Sequence, residues 1–140
     1  MKKIIPFLLI SCIWFIGCGD DDSSGNLIGT WVATSILVSD CQDGNRNGAN
    51  DVSCDEVSCY RLALNGDDTY SFQRGLGTDN GTWDVGDFLR LCMTEEGETS
   101  CEQFAVQFSG ISMILIADST SAGCVSTYFF NPETQADTIQ

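Results

Sequence analysis

Apolar and polar residues alternate in short stretches along most of this chain, and the longest uninterrupted stretch comes first. Residues 27–38 (LIGTWVATSILV) contain neither Pro nor charge and are rich in Val, Ile, Thr and Trp, which predicts one long strand. Its Gly29-Thr30-Trp31 recurs as Gly81-Thr82-Trp83. Shorter stretches follow at 60–64 (YRLAL), 69–73 (TYSFQ), 81–85 (GTWDV), 88–92 (FLRLC), 103–108 (QFAVQF), 111–117 and 124–130. An apolar residue at every second position marks a strand with one face buried. None of the segments between them carries the period of an amphipathic helix.

Eight such strands predict an all-β domain over residues 27–130, an eight-stranded antiparallel up-and-down barrel, because a consecutive meander can close on itself and leave no free edge. With the start of the first strand placed at the bottom, the bottom connections at 65–68, 86–87 and 109–110 are tight. The top connections at 39–58, 75–80, 93–100 and 118–123 are longer and read as loops, and 131–140 reads as a flexible tail. Alternation sends Trp31, Leu62, Leu64, Tyr70, Phe72, Trp83, Leu89, Leu91, Phe104, Val106, Phe108, Met113 and Leu115 to the interior. That set either lines a pocket for a small hydrophobic molecule or fills the barrel with side chains.

LIGTW, LNGDDTYSF and GTWDVGDFLRLC together resemble the lipocalin-like domains of bacterial lipoproteins. The resemblance implies a barrel with a ligand seat reached through its mouth. Lipocalins usually cover the first-strand Trp with an arginine from the last strand; residues 124–130 here contain none.

The start of the chain changes the picture from a barrel to a barrel with an address. Lys2 and Lys3 precede a 13-residue apolar stretch at 4–16, too short to span a bilayer and suited to a secretory signal. Phe15-Ile16-Gly17-Cys18 resembles the lipobox of bacterial lipoproteins, with Phe where Leu is usual. It implies that residues 1–17 are a signal peptide and that Cys18 carries a diacylglyceryl group. Residues 18–26 (CGDDDSSGN) are then anchor and polar tether. The expected location is a bacterial cell envelope as an exported, membrane-anchored lipoprotein. Acidic residues after the lipidated cysteine resemble surface-export signals and favour the outer membrane or cell surface. The long-loop mouth then faces away from the membrane.

Once the two signal lysines are gone, four arginines stand against twenty carboxylates, a net charge of −16. Such a surface excludes nucleic-acid binding and repels anionic headgroups, so contact with the membrane is expected through the anchor alone. Cys12 leaves with the signal and Cys18 takes lipid. Cys41, Cys54, Cys59, Cys92, Cys101 and Cys124 remain, an even number in an exported chain, and read as three disulfides. Cys92 and Cys101 flank one hairpin on its outward face and are expected to pair. Cys124 is left to choose among Cys41, Cys54 and Cys59.

Asp43-Gly44-Asn45-Arg46-Asn47-Gly48-Ala49-Asn50-Asp51 places oxygen side chains at Asp43, Asn45, Asn47 and Asp51 around a glycine. This spacing is similar to calcium loops of EF-hand, dockerin and thrombospondin type 3 modules, with Cys54 where a bidentate Glu is usual. It reads either as a weak calcium site or as a polar loop clamped by disulfides; no other cofactor is indicated. The chain has no His, which removes the usual general base and nucleophile pairs, so no enzyme activity is expected.

Overall fold

The computed structural model describes residues 27–52, 54, 59–119 and 123–133; the signal, Cys18, the tether and residues 134–140 lie outside them. The strands are β1 (Gly29–Ser39), β2 (Gly48–Asp51), β3 (Tyr60–Leu64), β4 (Thr69–Arg74), β5 (Gly77–Val85), β6 (Leu89–Glu95), β7 (Glu98–Ser109), β8 (Ser112–Ser119) and β9 (Cys124–Pro132). Eight of them join as neighbours in the order β1-β3-β4-β5-β6-β7-β8-β9, and β9 pairs back onto β1. Every pairing is antiparallel. The fold is therefore the closed eight-stranded barrel that the alternation predicts, with one strand added.

The added strand is β2, inside the segment read as a polar loop. β1 has 11 residues and β3 only 5, so β3 covers just Gly29–Val32 of that edge of β1. The backbone of Ser35, Ile36, Leu37 and Val38 would be left unpaired; β2 pairs with those four residues, and the Val52 amide donates to the Thr34 carbonyl between the two partners. All four residues of β2 are exposed, so backbone pairing alone holds it, with no apolar pattern to announce it. A register shift between Ala33 and Ser35 against β9 turns Ile36, paired with Tyr128, toward the inside.

Two other expected loops are strand as well. Residues 77–80 are the start of β5 and pair with β4, leaving Gly75-Leu76 as a two-residue turn. The acidic stretch 93–100 is the outer part of a hairpin, paired as far as Glu95 with Glu98. Its turn residues Glu96 and Gly97 both have positive φ, 52° and 87°, as a type I′ turn requires. Both segments stand at the rim with water on two sides, so neither face needs apolar residues. At the other end of the chain, β9 runs to Pro132 and the Glu133 amide donates to the Thr30 carbonyl, so the barrel extends beyond residue 130.

The interior is filled. Leu62, Leu64, Phe72, Leu89, Phe104, Met113, Leu115 and Phe130 are essentially without solvent contact, joined by Leu27, Trp31, Ala33, Tyr70, Trp83 and Leu91. Phe72, Phe104, Tyr128 and Phe130, from three separate strands, meet at ring-centre distances of 6.0–6.4 Å across the middle. The repeated Gly-Thr-Trp has one meaning at both places. Each indole tucks in at the bottom and donates to a backbone carbonyl, Trp31 Nε1 to Leu27 at 2.9 Å and Trp83 Nε1 to Asn65 at 3.0 Å. Gly81 is required for a different reason: a Cβ there would run into the Cys92 carbonyl and the Tyr70 ring.

Outward positions carry polar residues such as Thr30, Arg61, Ser71, Gln73, Asp84, Arg90, Gln103 and Gln107, with Val32, Ile114, Ile116 and Phe129 among them near the closing seam. Disulfides join Cys41–Cys124, Cys54–Cys59 and Cys92–Cys101. Cys92 and Cys101 face each other directly across β6 and β7, as their parity predicts. The choice left open for Cys124 falls on Cys41, which ties the end of β1 to the start of β9 at the top of the closing seam.

Candidate functional site

The centre of the barrel is filled by side chains, and a cluster of charged and phenolic groups collects at the upper mouth. There β4 extends its inward series Tyr70, Phe72 by one more step to Arg74, and β7 extends Phe104 outward to Glu102. The Arg74 guanidinium lies over the Phe72 ring, 4.5 Å from its centre. It reaches across β5 and β6 to Glu102 in a two-pronged pair, Nη2–Oε2 2.7 Å and Nη1–Oε1 3.3 Å, and its Nη2 is 3.1 Å from Asp79 Oδ2. One cation therefore ties β4, β5 and β7 together above the aromatic cluster.

The electrostatics follow from this placement. Burial disfavours the Arg74 cation, yet the hydrogen bond and charge of Glu102, with Tyr128 and Asp79 adding to them, hold its pKa above the ordinary arginine value. Tyr70 and Tyr128 have raised pKa values, in both cases chiefly because burial penalises the phenolate. Arg74 Nε is buried without a hydrogen-bond partner among the described residues. Beside this cluster is a cleft of about 240 Å³ lined by Tyr70, Arg74, Leu91, Met93, Ser100, Cys101 and Glu102. Its floor is apolar and aromatic, and its rim carries the ion pair.

The expected interior residues divide accordingly. Leu62, Phe72, Leu89, Phe104, Met113 and Leu115 are structural filling. Trp31 and Trp83 belong to the bottom, and only Tyr70 and Leu91 line the mouth cleft. Val106 is half-buried. Phe108 was expected inside but is 46% exposed: it faces the right way on β7 but lies below the last layer of the core, against Trp31 at 6.1 Å. Arg74, Glu102, Asp79, Met93 and Tyr128 are the mouth residues that the alternation, stopped at residue 73 on one strand and begun at 103 on another, leaves out. Carrying the period one step further along each strand would find Arg74 and Glu102.

In the loop expected either to hold calcium weakly or to be a polar loop clamped by disulfides, two of the four oxygen side chains bond to backbone amides. Asp43 caps a single 3-10 turn at Gly44–Arg46, its Oδ1 accepting from the Asn45 amide at 3.1 Å. Asn47 Oδ1 accepts from the Cys41 amide at 3.1 Å, and Asp51 sits in β2 opposite Ser35. Comparison with known proteins gives no further assignment: no protein-family model, no curated protein and no solved structure matches this chain.

Proposed function

We propose that this chain is an exported, non-catalytic lipocalin-like barrel, held to a bacterial envelope membrane by lipid on Cys18, that binds a small molecule at its upper mouth. The observation that carries the reading is the cleft of about 240 Å³ between Tyr70, Arg74, Leu91, Met93, Ser100 and Glu102. Apolar walls beside a fixed ion pair suit a small ligand with a hydrophobic body and one polar end. The filled centre limits how deep that body reaches, so the ligand seat is shallow rather than a deep calyx. Three disulfides suit an oxidising, exported setting.

Native mass spectrometry of the protein extracted from its own cells tests this. A bound small molecule in the wild type that is missing from Ser100→Trp, which fills the cleft, supports the reading. A wild-type protein of bare polypeptide-plus-anchor mass counts against it. A second reading, a structural or interaction module with no ligand, is favoured by the packing of Phe72, Phe104, Tyr128 and Phe130 across the centre, and that bare mass is its expected result.

A further inference from the structure

The bottom of the barrel has apolar surface that folding does not explain. Among the described residues six large hydrophobic side chains are exposed, and four of them, Ile28, Phe88, Phe108 and Ile111, lie at this one end. They come from three separate places, the approach to β1, the β5–β6 turn and the β7–β8 hairpin. A shallow groove of about 190 Å³ running past Leu27, Val85, Phe88, Val106 and Phe108 joins two of them, Phe88 and Phe108. Tight turns need only small or polar residues, so a Phe at one turn and an Ile at the next serve neither turn geometry nor the core. Scattered exposed hydrophobics are ordinary; a cluster at one end marks an interaction surface.

We infer that this end rests on the membrane, with Phe88, Phe108, Ile28 and Ile111 entering the boundary between headgroups and acyl chains. The place where the chain comes in selects lipid as the occupant. The described residues begin at Leu27, inside the patch itself, and residues 18–26 separate it from Cys18. Nine residues reach about 30 Å at full extension, so a lipidated Cys18 holds this end of the barrel nearest to the bilayer. Confinement by the tether supplies a high effective concentration, so a weak apolar contact suffices to orient the barrel. Asp67, Asp68 and Asp87 stand at the same end, where the charge of Glu133 is paired with Arg61 at 2.8 Å, and this acidic balance favours zwitterionic over anionic headgroups. Contact through the domain face as well as the anchor departs from what net charge alone suggests. The inference rests on the anchor proposed above.

The test uses the full lipidated protein with labelled isoleucine methyl groups, in phosphatidylcholine nanodiscs that contain a nitroxide-bearing lipid. Ile28 and Ile111 signals are expected to broaden at least fivefold more than those of Ile36 and Ile114. In Phe88→Ser/Ile111→Ser, with the tether unchanged, the broadening at Ile28 is expected to fall at least threefold. Equal broadening at all four positions, or broadening at Ile28 that the double variant leaves unchanged, overturns the inference. So does a dimer in solution that the double variant dissolves, which assigns the face to a second copy. The mass of the purified protein separates the two claims: Cys18 without acyl chains overturns anchor and inference together, whereas acylated Cys18 with unbroadened Ile28 and Ile111 overturns the inference alone.

Discussion

Removing the charge that spans the mouth measures how far the barrel depends on its upper closure. Arg74→Met keeps most of the aliphatic stem over Phe72 but deletes the two contacts to Glu102 at 2.7 and 3.3 Å and the contact to Asp79 at 3.1 Å. Two unit charges about 4 Å apart attract by about 1 kcal/mol in water and about 4 kcal/mol at an effective dielectric of 20. The Arg74 side chain is 29% exposed and that of Glu102 52%, so the wet limit applies to one side of the pair and the desolvation cost to the other. Holding two long side chains in place costs further entropy. A coupling of about 1 kcal/mol is the net expectation, and the lost stacking on Phe72 adds about 0.5–1 kcal/mol to the single Arg74→Met change. Urea unfolding of wild type, Arg74→Met, Glu102→Gln and the double variant reads both quantities. The Arg90–Asp84 pair on the outer wall, with a 2.8 Å contact and both side chains about half-exposed, is the internal control and should couple more weakly. A coupling between Arg74 and Glu102 no larger than that control refutes the idea that the ion pair closes the mouth.

Three further outcomes follow from packing and titration. Phe130→Ala, in the centre, should lower stability by about 3–5 kcal/mol in the same assay, whereas Phe108→Ala, already 46% exposed, should cost under about 1 kcal/mol; similar losses would contradict the assignment of the barrel floor. Gly81→Ala should cost about 1–3 kcal/mol, because its methyl group meets the Cys92 carbonyl on the next strand, and a neutral effect would contradict the close approach of β5 to β6. The raised pKa of Tyr128 means that its contribution is complete below the unfolded value near 10 and is lost as pH rises through the folded value. Thermal melts should therefore fall above pH 10, less steeply in Tyr128→Phe; identical alkaline profiles would refute this.

Closure, strand order and most of the core follow from a single property of the sequence, the period of two in stretches such as YRLAL and TYSFQ, where burial dictates residue type. Pairing of Cys92 with Cys101 is legible for the same reason, since parity places both on one face. What escapes is structure held by backbone alone. β2 (GAND), the start of β5 and the tip of the β6–β7 hairpin have water on both faces, so no pattern of apolar residues marks them. The mouth residues escape differently. Arg74 and Glu102 occupy inward positions near open solvent, where a charged pair replaces the apolar residues by which an inward face is recognised. Phe108 errs the other way: its type and parity say core, and only its height along β7 puts it outside.

The seam between β1 and β9 tests the account most directly, because the mouth, the bottom patch and the Cys41–Cys124 bridge are all defined by it. Ala33 faces Phe130, Ile36 faces Tyr128 and Leu37 faces Thr127 across that seam. Nuclear Overhauser contacts between the backbone protons of these facing residues, with slow amide exchange along both strands, are the expected result. If those contacts are missing and the amides of 126–131 exchange as freely as an open edge, the barrel is not closed and the account fails.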